Sequence, residues 1–168
     1  SEYRSKTEAN VLFALESADG FWAPNGSGST SGLTDEGNSF ETSTVAPSKD
    51  AAGSGKLVYS FDPDFAGESW QIREYTPTQS GVNANKSDCN YVISFWCFGD
   101  GSNNSISAML RINNSELKMT DPMTVLDFRG WNRISWDLQN DAFQHFTGEA
   151  TTMSQWRFDS FLLKHEWT

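Results

Sequence analysis

Four stretches of the chain alternate apolar and polar residues, and the polar partners are the side chains with chemistry to offer. If Trp70 and Ile72 turn inward on a strand, Gln71, Arg73 and Tyr75 turn outward. Ile93, Phe95 and Cys97 inward leave Ser94 and Trp96 outward. Ile106, Ala108, Leu110 and Ile112 inward put Ser107, Met109 and Arg111 outward, and Ile134, Trp136 and Leu138 do the same for Arg133, Ser135 and Asp137. The outward set joins two aromatics and an amide to hydroxyls and three of the six arginines. Aromatic faces stack on the apolar C–H face of a pyranose, and planar polar groups hydrogen-bond its hydroxyls. Arginine adds a fixed fork of donors that also pairs bidentately with carboxylates, so neutral and acidic sugars both fall within this chemistry. The candidate ligand residues are Trp96, Tyr75, Arg73, Gln71, Arg111 and Arg133. Trp22 is a seventh, either a platform beside the Ser- and Gly-rich stretch 26–32 or a plug beneath it. For Arg111 and Arg133 the alternative is an ordinary solvated exterior. Consecutive strands that alternate between sheets would divide the set between two faces. Trp131, Trp136 and Trp156 read as structural, and Trp167 carries no information.

Catalytic patterns are missing. A glycosidase needs two carboxylates across a cleft, whereas Glu68, Glu74, Asp127 and Asp137 are scattered. A polysaccharide lyase would gather Arg, His, Tyr and an amide; Gln71, Arg73 and Tyr75 hint at this, but His145 and His165 sit in no matching motif. No nucleophile elbow and no phosphate-cradling glycine loop is present. The expectation is a non-catalytic domain.

The elements that must position these residues read as short strands between Gly, Ser, Asn and Pro clusters. Strands are predicted over 11–16, 39–45, 56–61, 69–75, 89–98, 105–112, 131–138 and 155–165, about nine in all once edge pieces are included. Loops are predicted at 26–35, 77–88 and through Gly148. This pattern, without long amphipathic helices or internal repeats, predicts an all-β jelly-roll β-sandwich. Residues 1–10 form a polar tail or linker, and 11–168 form a single domain of ordinary size for one hydrophobic core.

With 37% hydrophobic residues the chain is globular, and seven Trp exceed what a core ordinarily needs. A net charge of −10 argues against nucleic acid and against anionic membrane surfaces. No apolar run reaches the roughly 18 residues of a membrane span, and no signal peptide opens the chain, so a mature or excised domain is expected. Cys89 and Cys97 lie on one predicted strand, roughly 26 Å apart at about 3.3 Å per residue. A disulfide needs about 7 Å or less between Cα atoms, so both thiols are expected to be free. Sequons at Asn25, Asn85, Asn103 and Asn113 are of the kind an Asn- and Ser-rich chain generates by chance.

Several segments in order resemble galactose-binding-like β-sandwich modules. They are the Val-Leu-Phe-Ala-Leu-Glu run at 11–16 with Gly20, Phe21 and Trp22, and the glycine loop of Gly53 and Gly55 leading to Tyr59. The Ile-Ser-Phe-Trp-Cys-Phe strand at 93–98 with its Gly-Asp-Gly turn follows. Gly130 and Trp131 before the strand to Leu138, and the closing strand with Asp159 embedded, complete the set. The resemblance covers nearly the whole chain and implies the galactose-binding-like fold. It also implies a structural calcium ion between the end of the first strand and the last strand, with Glu16 and Asp159 as ligands. Asp50 and the carbonyls of its loop could complete the oxygen shell; the alternative is that Glu16 and Asp159 are solvated or bonded to backbone. Many such modules bind carbohydrate as appendages of glycan-degrading enzymes or surface proteins. The expected protein is secreted or at the cell surface, a monomer linked to a catalytic or surface domain, and binds a polysaccharide or oligosaccharide. The alternatives are a spacer or protein-adhesion sandwich without sugar affinity, and a jelly-roll lyase or glycosidase.

Overall fold

A computed structural model describes residues 11–77, 84–113, 115–148 and 155–166, so the expected tail at 1–10 and Trp167 lie outside the described residues. Ten strands lie among the described residues, in chain order: β1 (Ser39–Ser43), β2 (Ser54–Val58), β3 (Trp70–Tyr75), β4 (Val92–Asp100), β5 (Ser105–Ile112), β6 (Glu116–Asp121), β7 (Thr124–Val125), β8 (Arg129–Asp137), β9 (Ala142–Thr147) and β10 (Trp156–His165). The largest sheet runs β3-β10-β5-β6-β9 with β7 beside β5; β4 pairs with β8, and β1 with β2. Every pairing is antiparallel. Among the described residues helical structure is confined to a 3-10 turn at Pro24–Gly26, and no helix is long and apolar enough to cross a membrane.

The protein is an all-β sandwich because its alternating strands each present an apolar side to the same core. The large sheet contributes Ile72, Ile106, Ala108, Leu110, Ile112, Trp156, Phe158 and Leu163; β4 and β8 contribute Ile93, Ile134 and Trp136. Aromatic rings bridge the layers. Phe95 lies 5.4 Å from Trp136 and 5.0 Å from Phe161, which in turn lies 4.9 Å from Phe158. A second cluster of Met109, Leu117, Met119 and Leu162 forms on the opposite face of the large sheet. That cluster corrects part of the expected exterior: Met109 and Ser107 are fully buried, with the Ser107 hydroxyl hydrogen-bonded to Thr120.

The expected strand at 11–16 does not form. Leu15 adopts φ 58°, in the left-handed region, which breaks an extended run. The segment packs all the same, with Leu12 and Phe13 against the main core and Phe13 edge-on to Phe158 at 5.6 Å. Strands β6 and β9 occupy stretches expected as connector and loop. Cys89 and Cys97 are not joined in a disulfide, as expected. Burial and the neighbouring Asp100 push the Cys97 thiol up to about 11.

Candidate functional site

The seven candidate ligand residues fall on two faces. Gln71, Arg73 and Tyr75 of β3 and Arg111 of β5 lie on the side of the large sheet turned away from the main core. Trp96 of β4 and Arg133 of β8 lie opposite one another on the outer side of the two-stranded sheet. Trp22 joins the first group: its ring centre sits 4.7 Å from that of Tyr75, and its backbone N–H donates to the Tyr75 carbonyl at 3.2 Å.

On the first face the polar groups engage one another. Arg73 is 5% exposed. Its Nη2 donates to Asp159 Oδ2 at 2.7 Å, its Nε to Ser160 Oγ at 3.3 Å and its Nη1 to Ser29 Oγ at 3.3 Å. The guanidinium carbon also lies 4.4 Å from the centre of the Tyr75 ring. Arg111 Nε donates to Asp159 Oδ1 at 3.1 Å, and Gln71 Nε2 to the Ser29 carbonyl at 2.7 Å. The arrangement is a buried ion triad of one carboxylate between two guanidinium groups. Each nitrogen of the Arg73 guanidinium has a partner within the protein, and the most exposed ring on this face is that of Trp22.

Alternation from Phe158, which stays in the core, turns Asp159 to this side, and the register shift between Phe158 and Ser160 sets Ser160 on the same side while Phe161 returns to the core. The Asp159 carboxylate takes donors from Arg73, Arg111 and Ser160. A calcium ion needs such oxygens for itself, and two positive charges already hold both of them. Glu16 and Asp50 are exposed. The set led by Asp159 does not fit calcium, and the partner that this buried carboxylate requires is arginine.

The second face is built differently. β4 and β8 pair without a register break from Val92↔Asp137 to Asp100↔Arg129. Their inward residues enter the core, so Ser94, Trp96 and Phe98 line up outward against Ser135, Arg133 and Trp131. Trp96 is 49% and Phe98 55% exposed. Two positions apart on one strand, they stand roughly 6.6 Å from each other. Trp131, half-buried, meets Phe98 edge-on at 5.3 Å. Arg133 Nη2 donates to Ser94 Oγ at 2.9 Å, which holds the guanidinium against the sheet. The result is a shelf of three aromatic rings with a cation beside Trp96. Trp131, expected to be structural, belongs to this shelf. Phe98 was not among the candidates, although the two-residue period counted on from Trp96 points to it.

Comparison of the chain with protein-family models, with curated proteins and with solved structures gave no significant match in any of the three.

Proposed function

We propose that the protein is a non-catalytic carbohydrate-binding domain that engages an extended glycan on the shelf of Trp96, Phe98 and Trp131. The observation that carries this reading is the pair of half-exposed aromatic rings adjacent on a rigid strand, flanked by an oriented arginine. Monomeric proteins seldom leave such apolar surface open unless it meets a partner. Pyranose rings offer flat apolar faces at intervals along a chain, and an aromatic shelf accepts them with little rearrangement. The net charge of −10 disfavours polyanions, so the glycan class is neutral. The all-β sandwich is compatible with the galactose-binding-like jelly roll implied by the sequence, and with a role as a secreted or cell-surface monomer attached to a catalytic or surface domain.

Affinity electrophoresis over neutral and acidic polysaccharides tests this reading. Retardation by a neutral polysaccharide, lost in Trp96→Ala and Phe98→Ala, is the expected result. A second reading, protein adhesion or a spacer, draws on Val92, which extends the exposed apolar surface along β4. Absence of retardation by every polysaccharide would favour it and would end the glycan proposal.

A further inference from the structure

Two positions beyond Phe98 on β4 is Asp100, which lines an open groove of about 470 Å³. Lys56, Tyr59 and Phe61, from strand β2 and the residues after it, line the groove together with Asn104 and His165. A directed chain of hydrogen bonds runs among these lining residues. His165 Nδ1 lies within hydrogen-bond distance of Asn104 Oδ1, Asn104 Nδ2 donates to the Tyr59 hydroxyl at 2.8 Å, and that hydroxyl donates to Asp100 Oδ2 at 3.1 Å. His165 also stacks on Phe61, ring centres 5.6 Å apart. Gly101 takes φ 68°, so the chain turns sharply after Asp100, and the Ser102 N–H donates to Asp100 Oδ1 at 3.0 Å.

Each member of this chain fixes the orientation of the next, so the groove holds donors and acceptors in set positions beside an aromatic wall. That is the chemistry of a site that distinguishes hydroxyl configurations, whereas stacking on a shelf accepts any flat sugar face. Burial lifts the Tyr59 hydroxyl to about 12, with Asp100 adding to the rise, so it stays a donor at all ordinary pH. For Asp100, burial pushes upward, but hydrogen bonds involving Ser102 and Tyr59 outweigh it and keep the carboxylate ionised. A fixed carboxylate rejects a uronate and accepts hydrogen bonds from a neutral polyol.

We propose that this groove is the hydroxyl-reading subsite of the shelf, taking one neutral pyranose continuous with those stacked on Trp96 and Phe98; the inference rests on the glycan reading above. The division of labour gives a distinct signature. Trp96→Ala should weaken all accepted oligosaccharides alike, while Tyr59→Phe, which keeps the ring and removes the bridging hydroxyl, should erase preference among epimers.

The test is titration of cellohexaose and β-1,4-mannohexaose, which differ in the configuration of the 2-hydroxyl on each ring, with β-1,4-galactohexaose, inverted at the linked C4, as a third ligand, followed by amide NMR shifts and calorimetry. In the wild type the preferred hexaose should shift signals of Trp96 and Phe98 and also of Tyr59, Ser102 and Asn104. Tyr59→Phe should weaken that hexaose about five- to tenfold and the others much less. Shifts confined to Trp96 and Phe98, or a Tyr59→Phe variant with unaltered preference, would overturn the groove assignment and leave the shelf standing. No shift with any of the three would bring down the shelf reading and this one with it. Because the shift map uses the unmodified protein, it decides the matter even where a variant folds poorly.

Discussion

Both carboxyl oxygens of Glu74 are buried without a hydrogen-bond partner, on the inward side of β3 two positions after Ile72. Burial pushes its carboxyl up to about 8; the nearby Trp22 N–H pulls the other way but donates to the Tyr75 carbonyl. In the folded state Glu74 therefore keeps a proton that the unfolded chain releases above the ordinary 4.5. Stability falls as pH rises from about 4.5 to about 8 and levels off beyond, at up to about 1.4 kcal/mol per pH unit. Glu74→Gln should match wild type in melting temperature near pH 4 and exceed it progressively towards pH 8; parallel curves across that range would refute the assignment. Alternation already placed Glu74 on the side opposite Arg73, so its inward position was legible in the sequence, while its lack of a partner was not. Asp159 shows the converse. Its need for a partner was legible, but the choice of arginine over calcium depends on β10 pairing between β3 and β5, which brings Arg73 and Arg111 to it and which composition does not announce. Asp159→Ala leaves Arg73 buried beside no anion and should cost about 3–5 kcal/mol, a drop of roughly 10 °C in a thermal melt. Chelator should leave the wild-type melt unchanged, and a fall on chelation would reinstate a cation.

At the scale of the element, the two sides of β4 respond in opposite ways to truncation. Trp96→Ala and Phe98→Ala remove half-exposed rings and should each cost about 1 kcal/mol or less in urea unfolding while weakening glycan binding. Trp136→Ala, directed from β8 into the core, should cost about 3–5 kcal/mol. Equal costs on both sides would mean that the shelf is a buried surface. Within a strand the sequence was a reliable guide to direction, as Trp96 and Arg133 illustrate. It was silent on which sheet each strand joins, because that is settled by pairings between residues far apart, such as Ser160 with both Tyr75 and Met109. Strand β9 escaped notice for a different reason. Phe143 packs on the main core and Phe146 on the second cluster, so both of its faces carry apolar residues and the alternation that marks a strand is lost.

For the molecule as a whole, charge sets the outer limit on partners. An excess of ten negative charges over a domain of this size disfavours the approach of polyanions. Pectate and alginate should fail to retard the protein under conditions where a neutral polysaccharide does, and retention by the polyanions alone would reverse the choice of glycan class. The same large sheet has a consequence for how the protein is made. β10, the last strand in chain order, is not at an edge but between β3 and β5. During synthesis β3 emerges long before β10, the neighbour that joins it to the rest of the sheet. A ribosome-bound chain arrested before β10 can pair β5, β6 and β9 but cannot attach β3, so the large sheet reaches its native order only after that strand is released.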